Sequence, residues 1–338
     1  MKKSKQRLLV ILSLLLSALI VAYWFFASFS TRHESTYVYV DSDDTADSVY
    51  AKLEATAQPH TMAGVKLSGM VLGYGKHVRP GRYEVSPSIS SLQLMRHLRN
   101  GRQTPVRLVI PIVHTMPALA ERLSHLLQAD SASLAAAFTD STLLAAHGAT
   151  VATAPCLFLP NTYEVYWTIS PEQLLNRMQR ERDAYWTAER KQLAQKAGLT
   201  PDEVVTLASI VEQETANNAE RPKVAGMYLN RLRKGMKLQA DPTVKFALQN
   251  FALRRIMHQH LTANSPYNTY RNEGLPPGPI CIPSLASIEA VLHFTTHPYI
   301  YMCAKEDFSG THNFAATYAE HLQNAKKYSE ALNKRGIK

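Results

Sequence analysis

One glutamate in this sequence lies on a stripe of apolar side chains, where a soluble helix usually carries another apolar residue. The helix begins at residues 200–203, Thr-Pro-Asp-Glu, a capping box with proline at the first helical position. At about 100° per residue, one face then collects four apolar residues: Val204, Leu207, Ile210 and Val211. Glu214 lies one turn further along that face, whereas Glu212 points away from it. A carboxyl group held against apolar walls has a raised pKa, which is what a general acid needs near neutral pH.

Glu214 also has a purely structural interpretation. If the helix ends at or before this residue, the apolar stripe has already stopped and the carboxylate simply meets solvent. Helix ends are the least certain part of a prediction from periodicity. The pattern alone therefore leaves both interpretations open.

A charge-free run near the N-terminus predicts a membrane anchor. Residues 8–29 read LLVILSLLLSALIVAYWFFASF, which exceeds the roughly 20 residues that cross a hydrocarbon core. The run is also longer than the apolar region of a cleavable signal, although cleavage near Ala27 is the alternative. Basic residues at positions 2, 3, 5 and 7 precede the run, so the positive-inside rule places residues 1–7 in the cytoplasm. We therefore expect a single-pass protein of the cytoplasmic (inner) membrane whose remaining residues are exported.

Charge and cysteine content narrow the class of protein. The chain carries 37 Lys and Arg against 27 Asp and Glu, a net charge of +10 that suits anionic lipid or an anionic polymer. No basic stripe with interleaved aromatic residues occurs, so nucleic acid is not an expected partner. Cys156, Cys281 and Cys303 are widely spaced, and the 13 histidines form no HExxH. We expect free thiols, no metal and no cofactor.

The segment after the anchor predicts a small mixed domain over residues 34–113. Three stretches are typical of strands: 36–40 (TYVYV), 81–85 (GRYEV) and 104–112 (TPVRLVIPI). Helices are predicted between them, within 41–57, 62–72 and 90–99. Such compact pairs of strands and helices resemble the LysM-like modules of cell-wall proteins.

The remaining residues, 114–338, predict one mainly helical domain. A long helix starts near Pro171, and another runs from Glu220 to Lys234 and is ended by Gly235. Residues 265–284 carry five prolines and two glycines, which indicates a stiff, ordered loop that lines a ligand site. PYIYMCAK and THNFA predict a hairpin before a C-terminal helix over 318–332. The predicted fold class is α+β: one transmembrane helix, a LysM-like module and a mainly helical domain with a β-hairpin.

Six motifs occur in order through roughly the C-terminal half: ASIVEQET, ERPKVAGMYLNRL, LQADPTV, YNTY, GLPPGPI and GTHNF. With these motifs the sequence resembles the membrane-anchored endolytic murein transglycosylases, the MltG or YceG-like family. CLFLPNTYEV, the strand-helix module and the single N-terminal anchor agree with the same resemblance.

The resemblance implies a lytic transglycosylase that cuts peptidoglycan between N-acetylmuramic acid and N-acetylglucosamine and leaves a 1,6-anhydro end. It implies that Glu214, the second glutamate of ASIVEQET, is the catalytic acid, the residue that the helical face also selects. Candidate sugar-binding residues in the motifs are Asn230, Gln239, Asp241, Tyr267, Asn268, Thr269, Tyr270 and His312. The expected partners are peptidoglycan glycan strands, nascent ones in particular, the membrane and peptidoglycan synthases.

Some motif residues have structural interpretations or depart from the family pattern. Asp241 could serve as the N-cap of a short helix, and Glu220 as a favourable charge at a helix N-terminus. Asn161 replaces a frequent aspartate, and Ala240 replaces a hydroxyl residue between Gln239 and Asp241. These departures concern the polarity of the groove and not the proposed acid.

Two other functions remain open from the sequence. A wall-binding scaffold without catalysis needs no acid on an apolar stripe, so Glu214→Gln would leave its function unchanged. A muramidase that uses water needs a second carboxylate roughly 5–10 Å from Glu214, for which Asp241 is the first candidate.

Overall fold

The structure, a computed structural model, describes residues 2–58, 60–253 and 255–335, with backbone only for residues 2–4. The first part of the chain forms α1 (Lys2–Phe26), β1 (Thr36–Val40), α2 (Ala46–Glu54), α3 (Thr61–Leu72), β2 (Gly81–Val85), α4 (Ser91–Asn100) and β3 (Val106–Val109). The middle part forms α5 (Met116–Ser124), α6 (Ser131–Thr139), α7 (Ser141–Ala146), β4 (Thr162–Val165), α8 (Pro171–Tyr185) and α9 (Ala188–Ala197). The last part forms α10 (Pro201–Glu214), α11 (Arg221–Arg233), α12 (Asp241–Ala247), α13 (His258–Leu261), α14 (Leu285–Leu292), β5 (Tyr301–Ala304), β6 (His312–Ala315) and α15 (Tyr318–Lys334).

The fold is mixed and mostly helical, and its strands pair as β1 with β2, β3 with β4 and β5 with β6. Its contacts define two compact units. Unit 1 contains residues up to 108 together with 126–128 and 163–169, and unit 2 contains 109–125, 129–162 and the residues from 170 onward. The sequence suggested a boundary near residue 113 but gave no sign that two short later segments belong to unit 1.

Helix α1 is long and apolar enough to cross a membrane. Its candidate span, Lys5–Phe26, has 22 residues, and an 18-residue window within it has a mean hydropathy of 2.6. The apolar run of the sequence continues to residue 29, but the helix ends at Phe26. Phe29 is fully buried in unit 1, where its N–H donates to the carbonyl of Ile89 at 2.7 Å. The last apolar residue of the run therefore packs in a protein core.

The core of unit 1 lies beneath an antiparallel pair of strands. β1 and β2 pair with Val38 opposite Tyr83, so the buried residues of both strands face the same side. Helices α2 and α4 cover that side with buried Val49, Leu53 and Leu94 among others. Capping boxes at the N-termini of both helices fix where they begin. Both strands have the bounds that the alternating sequence predicts.

Helix α10 runs through the core of unit 2. The eight residues from Val204 to Val211 are all buried, and α10 packs against α9, α11, α12 and α14. The predicted capping box is present: Thr200 accepts from the N–H of Glu203, and the Glu203 carboxylate accepts from the N–H of Thr200 at 2.7 Å. This cap sets the register that brings Glu214 to the last position of the helix.

The long helix predicted from Pro171 is two helices, α8 and α9. Trp186 is buried between them, and the hydroxyl of Thr187 accepts from the N–H of Arg190 to cap α9. Burial of the Trp186 side chain and the new cap at Thr187 stabilise two separate helices more than a single continuous helix would be stabilised. The sequence prediction missed this break because both helices share the same charged, helix-favouring composition.

The remaining elements of unit 2 follow the prediction closely. Gly235, just after α11, has a φ of +62°, the left-handed conformation that favours glycine beyond a helix C-terminus. β5 and β6 form the predicted hairpin, with Ala304 opposite His312. Helix α15 follows at Tyr318. The hairpin and α15 reach the cleft described next.

Candidate active site

Glu214 is the last residue of α10, and its side chain is only partly exposed. The chain leaves the helix at Thr215 in an extended conformation, φ −143° and ψ 134°. Tyr228, on α11, donates its hydroxyl to Glu214 Oε1 at 2.5 Å. Tyr228 itself is buried at 1% exposure, so the carboxyl group is held against a packed wall. The helix does end here, but Glu214 is engaged by a protein group and does not simply meet solvent.

The surroundings of Glu214 raise its pKa from the ordinary 4.5 to about 7. Removal of the carboxylate from water is the largest cause. The hydrogen bond from Tyr228 and the positive charges of His312 and Lys245 act in the other direction, whereas the negative charge of Asp241 adds to the rise. Burial outweighs the hydrogen bond, so Glu214 can carry a proton near neutral pH and release it during a reaction.

Glu214 lies in a cleft of about 420 Å³ within unit 2. Four of the other residues selected from the sequence line the same cleft: Gln239, Asp241, Tyr270 and His312. Further lining residues, which the sequence did not indicate, include Tyr228, Arg231, Tyr301, Tyr318 and His321. The cleft is therefore rich in tyrosine hydroxyls, which can both stack on sugar rings and form hydrogen bonds.

Asp241 is held by a tyrosine and does not cap its helix. The N-cap of α12 is Ala240, which has no side-chain cap, so the expectation that Asp241 is the N-cap is wrong. The Asp241 carboxylate instead accepts from the hydroxyl of Tyr270 at 2.6 Å. Two tyrosine-carboxylate pairs, Tyr228 with Glu214 and Tyr270 with Asp241, thus line one cleft.

Glu220 fixes the position of His312. The buried Glu220 carboxylate accepts from the backbone N–H of His312 at 2.7 Å and pairs with its Nδ1 at 2.9 Å, and Thr215 donates a third hydrogen bond at 3.1 Å. This pairing occupies Nδ1 of the His312 ring and leaves Nε2 for other partners. Glu220 stands just before α11 without making a cap hydrogen bond. Glu220 therefore positions His312, in addition to the role of a favourable charge at a helix N-terminus that the sequence suggested.

Gln239 is held in a strained backbone conformation. Its φ is +54°, a left-handed value that is uncommon for residues other than glycine. The Gln239 side-chain oxygen accepts from Nη2 of buried Arg231 at 2.6 Å. The backbone N–H of Gln239 donates to the carbonyl of Thr269 at 3.1 Å. Strain of this kind is retained where the surroundings determine the conformation, often at functional sites.

Four residues selected from the sequence do not line the cleft. Asn230 donates its amide to the carbonyls of residues 297 and 299, and Asn268 donates to those of residues 261 and 263. Thr269 is buried, and its hydroxyl pairs with another threonine at 2.8 Å. Tyr267 packs its ring 4.6 Å from that of Phe246. These contacts order the polar loop and the segment before β5.

Glu212, two residues before Glu214, has the opposite environment. Its carboxylate contacts the guanidinium of Arg221 at 2.8 Å and accepts from the hydroxyls of Ser284 and Ser287. Burial raises the pKa of Glu212, but the hydrogen bonds from both serines and the Arg221 charge outweigh it and hold this pKa below its ordinary value. Glu212 is therefore an ionised structural residue, whereas Glu214 has the properties of an acid.

Contacts across the chain explain which cleft residues the sequence did not reveal. Tyr228 and Arg231 are three residues apart on α11, so they share a face, but nothing local distinguishes them from ordinary core residues. Tyr301, Tyr318 and His321 reach the cleft from the hairpin and α15.

Within residues 2–58, 60–253 and 255–335, no three His, Cys, Asp or Glu side chains gather as a metal site. Cys156, Cys281 and Cys303 are free thiols.

Comparison with known proteins identifies the family. Residues 38–327 match the YceG-like family. The chain belongs to this family. A crystal structure of a YceG-like protein from Listeria monocytogenes has a similar fold, with a TM-score of 0.57 and 27% sequence identity, covering 86% of this chain and 99% of that one.

Two relatives are named endolytic murein transglycosylase. The Bacillus subtilis (strain 168) protein is 35% identical over 166 residues, which are 49% of this chain and 45% of that protein. The Streptococcus pneumoniae (strain D39) protein is 28% identical over 305 residues, covering 79% of this chain and 54% of that protein. The chain thus spans about half the length of the curated relatives it matches.

Proposed function

We propose that the protein is an endolytic lytic transglycosylase of peptidoglycan with Glu214 as its single general acid and base. The observation that carries this proposal is the environment of Glu214: a partly buried carboxyl group with a pKa of about 7, in a cleft lined by tyrosines. Membership of the YceG-like family, and the names of two relatives, support the same activity.

The first chemical step breaks the bond between N-acetylmuramic acid and the next N-acetylglucosamine. Protonated Glu214 donates its proton to the glycosidic oxygen, and the leaving sugar departs with the bonding electron pair as an alcohol. The anomeric carbon of the muramic residue then carries positive charge. The Asp241 carboxylate, held by Tyr270 in the same cleft, is available to stabilise that charge.

The second step forms the anhydro ring. The Glu214 carboxylate takes the proton of the 6-hydroxyl of the same muramic residue, whose oxygen bonds to the anomeric carbon. One proton leaves and one returns, so Glu214 ends in its starting state and no water is consumed. Because the attack is intramolecular, positioning of the sugar replaces the second catalytic carboxylate that a hydrolase requires.

The proposal extends to where the protein works. α1 anchors the chain in the cytoplasmic membrane with residues 1–7 inside the cell, and the rest of the chain lies outside. Unit 1 acts as a LysM-like glycan-binding module, and the site acts on nascent strands near the membrane beside peptidoglycan synthases. Pull-down of the full chain from membranes without any synthase would contradict the synthase partnership.

The activity is tested by digesting uncrosslinked glycan strands and mature sacculi with detergent-solubilised full-length protein and its Glu214→Gln variant. Mass spectrometry distinguishes the products. We expect 1,6-anhydro-muramic ends from the wild type and at least about a thousandfold less product from the variant. The matched control is Glu121→Gln, an exposed substitution on α5 that should keep full activity.

Two results would replace the proposed function. Reducing muramic ends would identify a muramidase that uses water, in which Asp241 acts as the second carboxylate and Asp241→Asn abolishes product. No cleavage of either substrate by the wild type, together with retained binding to glycan by both proteins, would favour a scaffold.

A further inference from the structure

Helix α3 carries an exposed apolar surface that the proposed activity does not use. Met70 is 79% exposed and Val71 69%, more than any other large apolar side chain outside α1 in the described residues. They belong to a stripe along one side of the helix, called here the α3 stripe: Ala63, Lys66, Leu67, Met70 and Val71. Exposed apolar patches on soluble units usually mark a contact with a partner or a membrane.

α3 lies at the end of α1 within unit 1. A Cβ on Gly64 would collide with the backbone carbonyl of Trp24, so α3 packs directly on the last turn of α1. One residue before α3, His60 stacks its ring on that of Tyr23, with centroids 5.1 Å apart. Among residues 5–26 of α1, only Trp24 and Phe25 are partly buried, and residues 5–23 are exposed. α3 therefore crosses α1 only where that helix ends.

The α3 stripe faces away from the core of unit 1. At about 100° per residue, Val65, Ser68 and Gly69 cluster on the side that packs against the core, and the stripe is centred about 180° from them. Gly64, which contacts α1, lies on the flank between the two sides. Because α3 packs on the last turn of α1, the stripe lies beside the end of the proposed anchor and is not covered by the core of unit 1.

We propose that the α3 stripe is a second membrane contact, lying at the boundary between headgroups and acyl chains beside the point where α1 leaves the bilayer. This inference rests on the anchoring of α1 proposed above. Met70, Val71 and Leu67 would contact acyl chains, and Lys66 would extend its ammonium to the headgroups. Lys66 already reaches solvent and makes only a loose pair with Glu54 at 3.6 Å.

Continuity with α1 selects lipid as the occupant. Trp24 and Tyr23, which contact α3 and its preceding residue, are of the type that favours the membrane interface. A helix held at the depth of the membrane interface, with its apolar side facing away from the protein core, would contact lipid on that side. A second copy of the chain or a glycan strand is the competing occupant and is distinguished in the experiment.

Site-specific photo-crosslinking tests the α3 stripe in the full-length protein. Benzoylphenylalanine replaces one residue at a time at Met70, at Leu19 in α1 and at Tyr39 on β1, all exposed positions. Each variant is assembled in nanodiscs of phosphatidylcholine and phosphatidylglycerol that contain an alkyne-tagged phospholipid. After irradiation, the tag reports lipid adducts, and gel mobility reports adducts between chains.

We expect lipid adducts at Leu19 and Met70, with the Met70 yield about tenfold above that at Tyr39. Adducts at Leu19 with only the Tyr39 background at Met70 would overturn the second contact and leave the anchor intact. Absence of lipid adducts at Leu19 as well would overturn the anchor and this inference together. Crosslinking of Met70 to a second chain in place of lipid would assign the stripe to an interface between copies.

Discussion

Two glutamates that are two residues apart on the same helix have opposite protonation behaviour because their neighbours differ. Glu212 faces a guanidinium and two serine hydroxyls, and it is held ionised. Glu214 faces the buried wall of Tyr228, and it retains a proton near neutral pH. The sequence distinguishes them only by helical face. The neighbours that determine each pKa come from residues distant along the chain.

The raised pKa of Glu214 has a consequence for stability. Folding raises this pKa from 4.5 to about 7, so the folded state binds the proton more tightly than the unfolded state. The stabilisation is complete below pH 4.5 and is lost as pH rises to about 7, on the order of 3 kcal/mol. Glu214→Gln cannot lose a proton, so we expect its stability relative to wild type to increase by that order between pH 4.5 and pH 8.5. Urea unfolding at both values measures this difference.

Glu121→Gln is the control for the stability measurement, since exposed substitutions usually change stability by less than about 0.5 kcal/mol. An equal effect of Glu214→Gln at pH 4.5 and pH 8.5 would contradict the raised pKa. It would also remove the main physical support for Glu214 as the acid.

The charges around Glu214 predict opposite shifts of the pH-rate profile. Besides Tyr228, the groups that act on its pKa are Asp241 and Lys245 on α12 and His312 on β6. Activity should fall as pH rises through this pKa, because the acid must be protonated. Asp241→Asn removes a negative charge and should move the alkaline limb to lower pH by roughly half a unit. His312→Gln should move the same limb to higher pH by a similar amount.

Measurement of product formation from pH 5 to pH 9 compares both variants with wild type. Tyr270→Phe is the matched control for Asp241→Asn, since it removes the hydroxyl that holds Asp241 but keeps the charge. If both charge variants lose activity without any shift of the limb, Asp241 and His312 do not act through Glu214.

At the scale of elements, a buried ion pair ties α10 to α11 and α14. Glu212 on α10 contacts Arg221 at the start of α11 and the hydroxyls of Ser284 and Ser287 at the start of α14. Glu212→Gln leaves the Arg221 charge buried without its partner, so we expect a loss of about 3–5 kcal/mol in unfolding free energy. Thermal and urea unfolding measure it.

Glu289→Gln is the matched control, because Glu289 pairs with Arg190 at 3.0 Å but both side chains are about one-third exposed. Surface pairs contribute about 1 kcal/mol or less. Similar losses for both variants would mean that the Glu212 pair does not tie the three helices.

Local signals allowed many elements to be predicted, and long-range contacts account for the rest. The cap at Thr200, the glycine after α11 and the alternation of β1 all depend on residues close together in the sequence. The division between α8 and α9 depends on where Trp186 finds a buried site. In the cleft, the sequence singled out Glu214 because a charge interrupts an apolar face. Tyr228 was missed because a tyrosine on a helix looks like ordinary core.

At the scale of the molecule, the anchor and the core of unit 1 share residues. Phe29 is fully buried only three positions after α1 ends, and its backbone pairs with residues 58 and 89. We expect Phe29→Ala in the full chain to destabilise unit 1 by about 3–5 kcal/mol. Hydrogen exchange at the amides of β1 and β2 measures this loss.

Phe26→Ala is the matched control, because Phe26 is 69% exposed at the end of α1. Exchange at β1 and β2 should be unchanged in that variant. Equal exchange in both variants would contradict the role of Phe29 in the core. The result also bears on how to produce the chain without α1: a chain that starts at residue 34 lacks Phe29, so one that starts at Ala27 should be more stable.

The short passage from the end of α1 at Phe26 to buried Phe29 leaves little free chain between that helix and the core of unit 1. A transmembrane helix adapts to a thinner or thicker bilayer by changing its tilt. Because α3 packs on the last turn of α1 and Phe29 is fixed in the core, unit 1 must rotate with that tilt as one body. If α1 spans the bilayer as proposed, bilayer thickness sets the angle at which unit 1 stands on the membrane surface, and lipid composition becomes a mechanical input to the protein.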